Sequence, residues 1–123
     1  MAITDISVTD IADFAGGHEF GPAGAYVRIK GVARGTLDPA AACNAGIVDL
    51  DKAPVNARGL VEYATDFDIL RPKDAHKGSS ILVYDVPNRG SKRIMCLLDD
   101  VPGNERERIN DPKNKEDAGL GFL

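Results

Sequence analysis

The chain has 123 residues, 43% of them hydrophobic and 28% charged, with a formal net charge of −4; this is the balance of one globular domain, or part of one, with an adequate but small core. The acidic surplus, with three Tyr, four Phe and no Trp, argues against a nucleic-acid partner, because phosphate binding needs a concentrated basic surface and base stacking needs rings. No run is long and apolar enough to span a bilayer, and Met1-Ala-Ile-Thr-Asp5 lacks the basic and apolar regions of a secretory signal, so no membrane partner is expected and the chain reads as cytoplasmic.

Residues 3–14 mix two periods: Ile6 and Val8 alternate, Ile11 and Phe14 stand at helical spacing, and the balance favours a strand. Gly16-Gly-His-Glu-Phe-Gly-Pro22 is a turn-rich connector in which His18 has no visible partner and receives no role. Residues 25–37 alternate as a long strand, with Val27, Ile29, Ala33 and Leu37 on one face and Arg28, Lys30 and Arg34 on the other. Gly31 and Gly35 are expected to bend or bulge it. Asp38-Pro39 ends it, 40–44 reads as one helical turn and 46–50 as a short strand. Asp49 and Asp51 lack the further oxygen ligand, the glycine and the closing glutamate of a calcium loop and are read as turn carboxylates.

A second long strand is expected over 59–71, with Val61, Tyr63, Phe67 and Ile69 on one face and Glu62, Asp66 and Asp68 on the other. Antiparallel pairing of the two strands would set carboxylates opposite the basic face of the first. Each exposed pair adds at most a few tenths of a kcal/mol but penalises wrong pairings. Residues 72–78 form a polar loop holding an exposed His76.

The stretch 81–92 organises this reading. Ile81 to Tyr84 is apolar on both pleat faces and Val86 extends the run, as in a central strand covered on two sides. Pro87-Asn88-Arg89-Gly90 stops it with residues suited to a sharp turn. Ser91 is a candidate N-cap for a helix over 92–98, whose Ile94, Leu97 and Leu98 recur at helical spacing. Strand, polar turn and helix make an ordinary βα connection, and they are also the usual layout of a site at the carboxyl edge of a sheet. Residues 99–118 are expected as a polar loop, with a turn of helix over 105–109. The apolar end Gly119-Leu-Gly-Phe-Leu123 after a polar loop suggests a continuation.

A P-loop, a G-x-G-x-x-G fingerprint and a G-x-S-x-G elbow are all absent, so no cofactor is expected; Gly78-Ser79-Ser80 precedes a strand instead of following one. Two histidines in separate loops propose no zinc site. Cys43 and Cys96 lack metal-ligand spacing and a disulfide framework, and both read as free thiols, Cys96 on the apolar side of its helix. Taken alone, these residues specify no reaction.

Residues 20–123 resemble the amino-terminal part of a family of bacterial α/β-hydrolase-domain proteins. Phe20-Gly-Pro-Ala-Gly-Ala-Tyr26, Leu37-Asp-Pro39 with Asp49-Leu-Asp-Lys-Ala-Pro54, Asn56-Ala-Arg-Gly59 through Ile69-Leu-Arg-Pro72, and Tyr84-Asp-Val-Pro-Asn-Arg-Gly90 carry the similarity. The resemblance implies an α+β, β-rich fold: antiparallel strands plus one strand-turn-helix unit, like the N-terminal portion of an α/β-hydrolase sheet, in a single partial domain. It also implies that Asn88, Arg89 and Gly90 lie in the loop that donates a backbone N–H to an oxyanion hole. Nucleophile, acid and histidine come later in such proteins, so the chain is expected to be an esterase-like fragment, catalytically silent by itself. The alternative is a standalone β-rich module that binds a small ligand or a copy of itself. Partners expected on either reading are a homo-oligomer or the missing carboxyl-terminal segments.

Overall fold

The computed structural model describes residues 2–87, 92–98 and 111–119. The alternation over 25–37 forms β3 (Gly24–Leu37), and β1 (Ala2–Asp13), β2 (Glu19–Phe20) and β4 (Val61–Pro72) each pair with it in a four-stranded antiparallel sheet. β3 is the most buried of the four, whereas β1 is exposed along nearly all of its length. The strands expected near 3–14, 25–37 and 59–71 are therefore present. The chain divides into two compact units, residues 1–10 with 29–68, and residues 11–28 with 69–123.

In the first unit, glycines four apart on β3 meet aromatic rings four apart on β4. A Cβ on Gly31 would lie under 3.0 Å from the Phe67 ring and the Ser7 carbonyl, and one on Gly35 equally close to the Tyr63 ring and the Ala2 carbonyl. The two glycines, expected as sites of bending or bulging, thus serve close approach: a β4 ring covers each, and β1 backbone runs beside it. On the basic face of β3, Arg34 donates to Asp5 at 3.3 Å and to Ser7 at 3.5 Å, so part of its charge is answered from β1. Glu62, expected to oppose that face, accepts from Asn56 Nδ2 at 2.7 Å. The Asn56 carbonyl oxygen also accepts from Arg58 N and Leu60 N, at 2.9 and 3.2 Å, which fixes the turn feeding β4.

The loop between β3 and β4 holds a helical turn at Ala42–Asn44, as expected over 40–44. The short strand expected over 46–50 does not form. Asp49 takes a left-handed backbone, with φ 59°, Lys52 N donates to Asp49 O at 3.1 Å, and the Lys52 ammonium sits 2.6 Å from its carboxylate. Asp and Asn in this loop offer the backbone local partners that compete with a ladder. Leu50, from the same run, is buried, as is Ala33, while Ile47 and Val48 are exposed.

In the second unit β2 pairs with the start of β3, Glu19 opposite Ala25 and Phe20 opposite Gly24. Lys73 N donates to Ala25 O at 2.8 Å at the end of β4. Phe14, Ala15 and Ala118 form the core, packed by Phe20, Tyr26, Leu70 and Met95. Ala15, Gly16 and Gly17 all have positive φ, 48°, 65° and 81°. This left-handed run turns the chain out of β1, and a Cβ on Gly16 would sit 3.2 Å from Lys113 O. The run packs against α2 (Lys115–Ala118), which Asn114 caps by accepting from Asp117 N at 3.0 Å. Ala118 is fully buried, so the described part of the stretch expected as a polar loop supplies one core residue.

α1 (Arg93–Leu98) forms where helical spacing placed it. It turns Met95 to the core, while Leu97 is exposed. With under two turns, the helix has only a narrow inward face, and Leu97 falls outside it. The proposed N-cap Ser91 and the Cys96 side chain lie outside the described residues.

The largest correction concerns the expected central strand. Residues 81–87 take up no strand, helix or turn, and Ile81, Leu82, Val83, Tyr84 and Val86 are all exposed. Its apolar pattern is that of a strand covered on two faces, but among the described residues the sheet places no strand beside it. Of the expected strand-turn-helix unit, the helix is present, the strand is not, and the turn residues 88–90 lie outside the described residues.

Candidate functional site

Asn88, Arg89 and Gly90, the oxyanion-loop candidates, lie outside the described residues. The segment leading to them is described. Ser79 Oγ accepts from Ile81 N at 3.4 Å, and Ser80 has a left-handed backbone, with φ 61°, an uncommon conformation for a residue with a Cβ. From there the chain runs through Leu82, 89% exposed, and Tyr84, 82% exposed. Asp85 is the single acid of this run. Its Oδ2 is shielded from solvent with no hydrogen-bond partner among the described residues, a state that costs free energy until a donor arrives.

Two polar groupings in the second unit bring together residues far apart in sequence. Arg28, its side chain 9% exposed, donates to Asp111, whose second oxygen takes Lys113. Asp13 and Lys73, both more than half exposed, pair at 2.8 Å. A buried guanidinium held by a carboxylate resists separation, whereas an exposed pair contributes little. No sequence signal marks the Arg28–Asp111 pair, since the partners are 83 positions apart and Arg28 lies on the face expected to meet the acidic face of the second long strand.

The histidines are placed without a base's surroundings. His18, given no partner in sequence, lies edge-on to Phe20 with centroids 4.8 Å apart, and Phe20 meets Tyr26 edge-on at 5.7 Å and Phe14 tilted at 6.0 Å. Edge-to-face contacts of this kind contribute about 0.5–1.5 kcal/mol each. His76 is exposed in a turn where Asp74 accepts from its backbone N–H at 3.0 Å. Among the described residues, neither imidazole is hydrogen-bonded to a serine or cysteine, and no group of three or more His, Cys, Asp or Glu could hold a metal ion. Cys43 is an exposed free thiol whose Sγ lies 3.8 Å from Asn44 Oδ1. No helix among the described residues is long and apolar enough to cross a membrane. What the arrangement offers chemically is ion pairing, an aromatic cluster and an unpaired apolar segment with a shielded carboxylate oxygen. Comparison with family models, with curated proteins and with solved structures finds no match to the chain.

Proposed function

We propose that the chain is a non-catalytic scaffold, the amino-terminal portion of an esterase-like α/β-hydrolase sheet, silent in hydrolysis by itself. The carrying observation is the exposed run 81–87. It has the apolar composition of a central strand and follows antiparallel strands, and α1 succeeds it in the order the resemblance implies, yet among the described residues no neighbouring strand covers it. A central strand without its flanking parallel strands would be left in this state. On this reading residues 88–90 contribute at most a main-chain donor to a carbonyl, because an oxyanion loop without nucleophile and base orients but does not cleave.

Hydrolysis of a p-nitrophenyl ester tests the reading. The expected rate with this chain equals that of buffer, and a fluorophosphonate probe leaves the protein unlabelled. Turnover abolished by substituting Ser79, Ser80 or Ser91 would overturn it.

A further inference from the structure

We infer that the exposed segment 81–87 pairs with the outer edge of β1 of a second copy of this chain. The inference goes beyond the scaffold reading, resting on edges and charge instead of the family resemblance. β1 pairs only with β3 among the described residues, so its other edge offers unpaired N–H and C=O groups. Ala2–Asp13 contains no Lys and no Pro, so its three acids are the one charged protection of that edge, and Ile3, Ile6, Val8 and Ile11 are all exposed on the strand. Segment 81–87 is already extended, is equally apolar and has no ladder of its own, so joining the edge requires little reordering.

Charge selects this pairing over the others the sheet could make. β1 carries Asp5, Asp10 and Asp13 and no cation, and β4 carries Glu62, Asp66 and Asp68 against Arg71 alone. Pairing β1 with β1, or β1 with β4, of another copy therefore sets acid against acid. Segment 81–87 holds one acid, Asp85, and lies between Lys77 and Arg93, so of the three pairings it sets the least negative charge against β1. β1 is also the more apolar edge, since Ile69 is the one large exposed hydrophobic of β4 among the described residues. An edge N–H or hydroxyl of β1 gives the shielded Asp85 oxygen its missing donor.

Sedimentation velocity over a micromolar concentration series tests this. The expected result is reversible association that weakens as salt rises. The double substitutions Leu82→Lys with Tyr84→Lys, and Ile6→Lys with Val8→Lys, should each raise the dissociation constant by more than about tenfold, while Ile69→Lys on β4 leaves it unchanged. A labelled peptide of residues 77–93, which carries the segment with its basic flanks, should bind the unaltered chain, which keeps the test independent of whether the charged variants fold. A chain that stays monomeric throughout, association that survives either double substitution in a folded variant, loss with Ile69→Lys, or a peptide that does not bind would each overturn the inference. None of these outcomes bears on ester hydrolysis, so the scaffold reading stands or falls separately.

Discussion

A methyl group added at Gly31 would enter space already held by the Phe67 ring and the Ser7 carbonyl. In an ordinary strand, replacing glycine by alanine recovers roughly 0.5–1 kcal/mol of backbone entropy. Here the sign reverses, and Gly31→Ala is expected to lose about 2 kcal/mol in urea unfolding. Adding Phe67→Ala relieves the ring contact but not the carbonyl contact, so the double variant stays less stable than Phe67→Ala alone. A neutral or stabilising Gly31→Ala would show that the ring and β1 do not close over this position. The ion pairs give a second contrast. Asp111→Asn removes the carboxylate charge that Asp111 sets beside the buried Arg28 guanidinium and is expected to cost about 2–3 kcal/mol. Lys73→Ala removes an exposed partner of Asp13 and costs under about 1 kcal/mol. Equal losses in the two variants would mean that Arg28 is solvated after all.

At the scale of elements, periodicity carried the reading wherever one face of a strand or helix packs. β3 and β4 were legible from alternation, because an apolar period of two is what a one-sided core selects in a strand; α1 forms where the spacing of Ile94, Leu97 and Leu98 placed it, although Leu97 and Leu98 are exposed. Periodicity failed over 46–50, where Asp49 supplies a local alternative to the ladder, and it could not anticipate Met95 as the inward residue of a helix this short. The run 81–86 is the instructive case. Its composition states what would cover it, but composition cannot state whether the cover is present, since burial belongs to neighbours and not to the run. Leu82→Lys separates the two readings: with Leu82 exposed, the unfolding free energy of the monomer should change by no more than a surface substitution does, about 0.5 kcal/mol. A loss of about 2–5 kcal/mol, as for a leucine removed from a core, would restore the buried strand.

Over the whole molecule, the charge that bears on association is the charge carried by the exposed edges. Three acids on β1 and three on β4, against Arg71 as the one cation of the two strands, discourage sheet-to-sheet association and leave the run 81–87, flanked by Lys77 and Arg93, as the least acidic element for β1 to meet. Of the candidate site, the apolar run leading to it was legible as composition but not as structure; Asn88, Arg89 and Gly90 lie outside the described residues, and no pattern in sequence pointed to the Arg28–Asp111 pair or to the shielded oxygen of Asp85. The central claim is that 81–86 is a strand-type segment left unpaired within one chain. Residue-resolved amide hydrogen exchange, at a dilution where the chain is monomeric, tests it most directly. The expected result is exchange at 81–86 near the rate of an unstructured peptide while the amides of β3 over 29–35 remain protected; protection at 81–86 comparable to that of β3 would contradict the account.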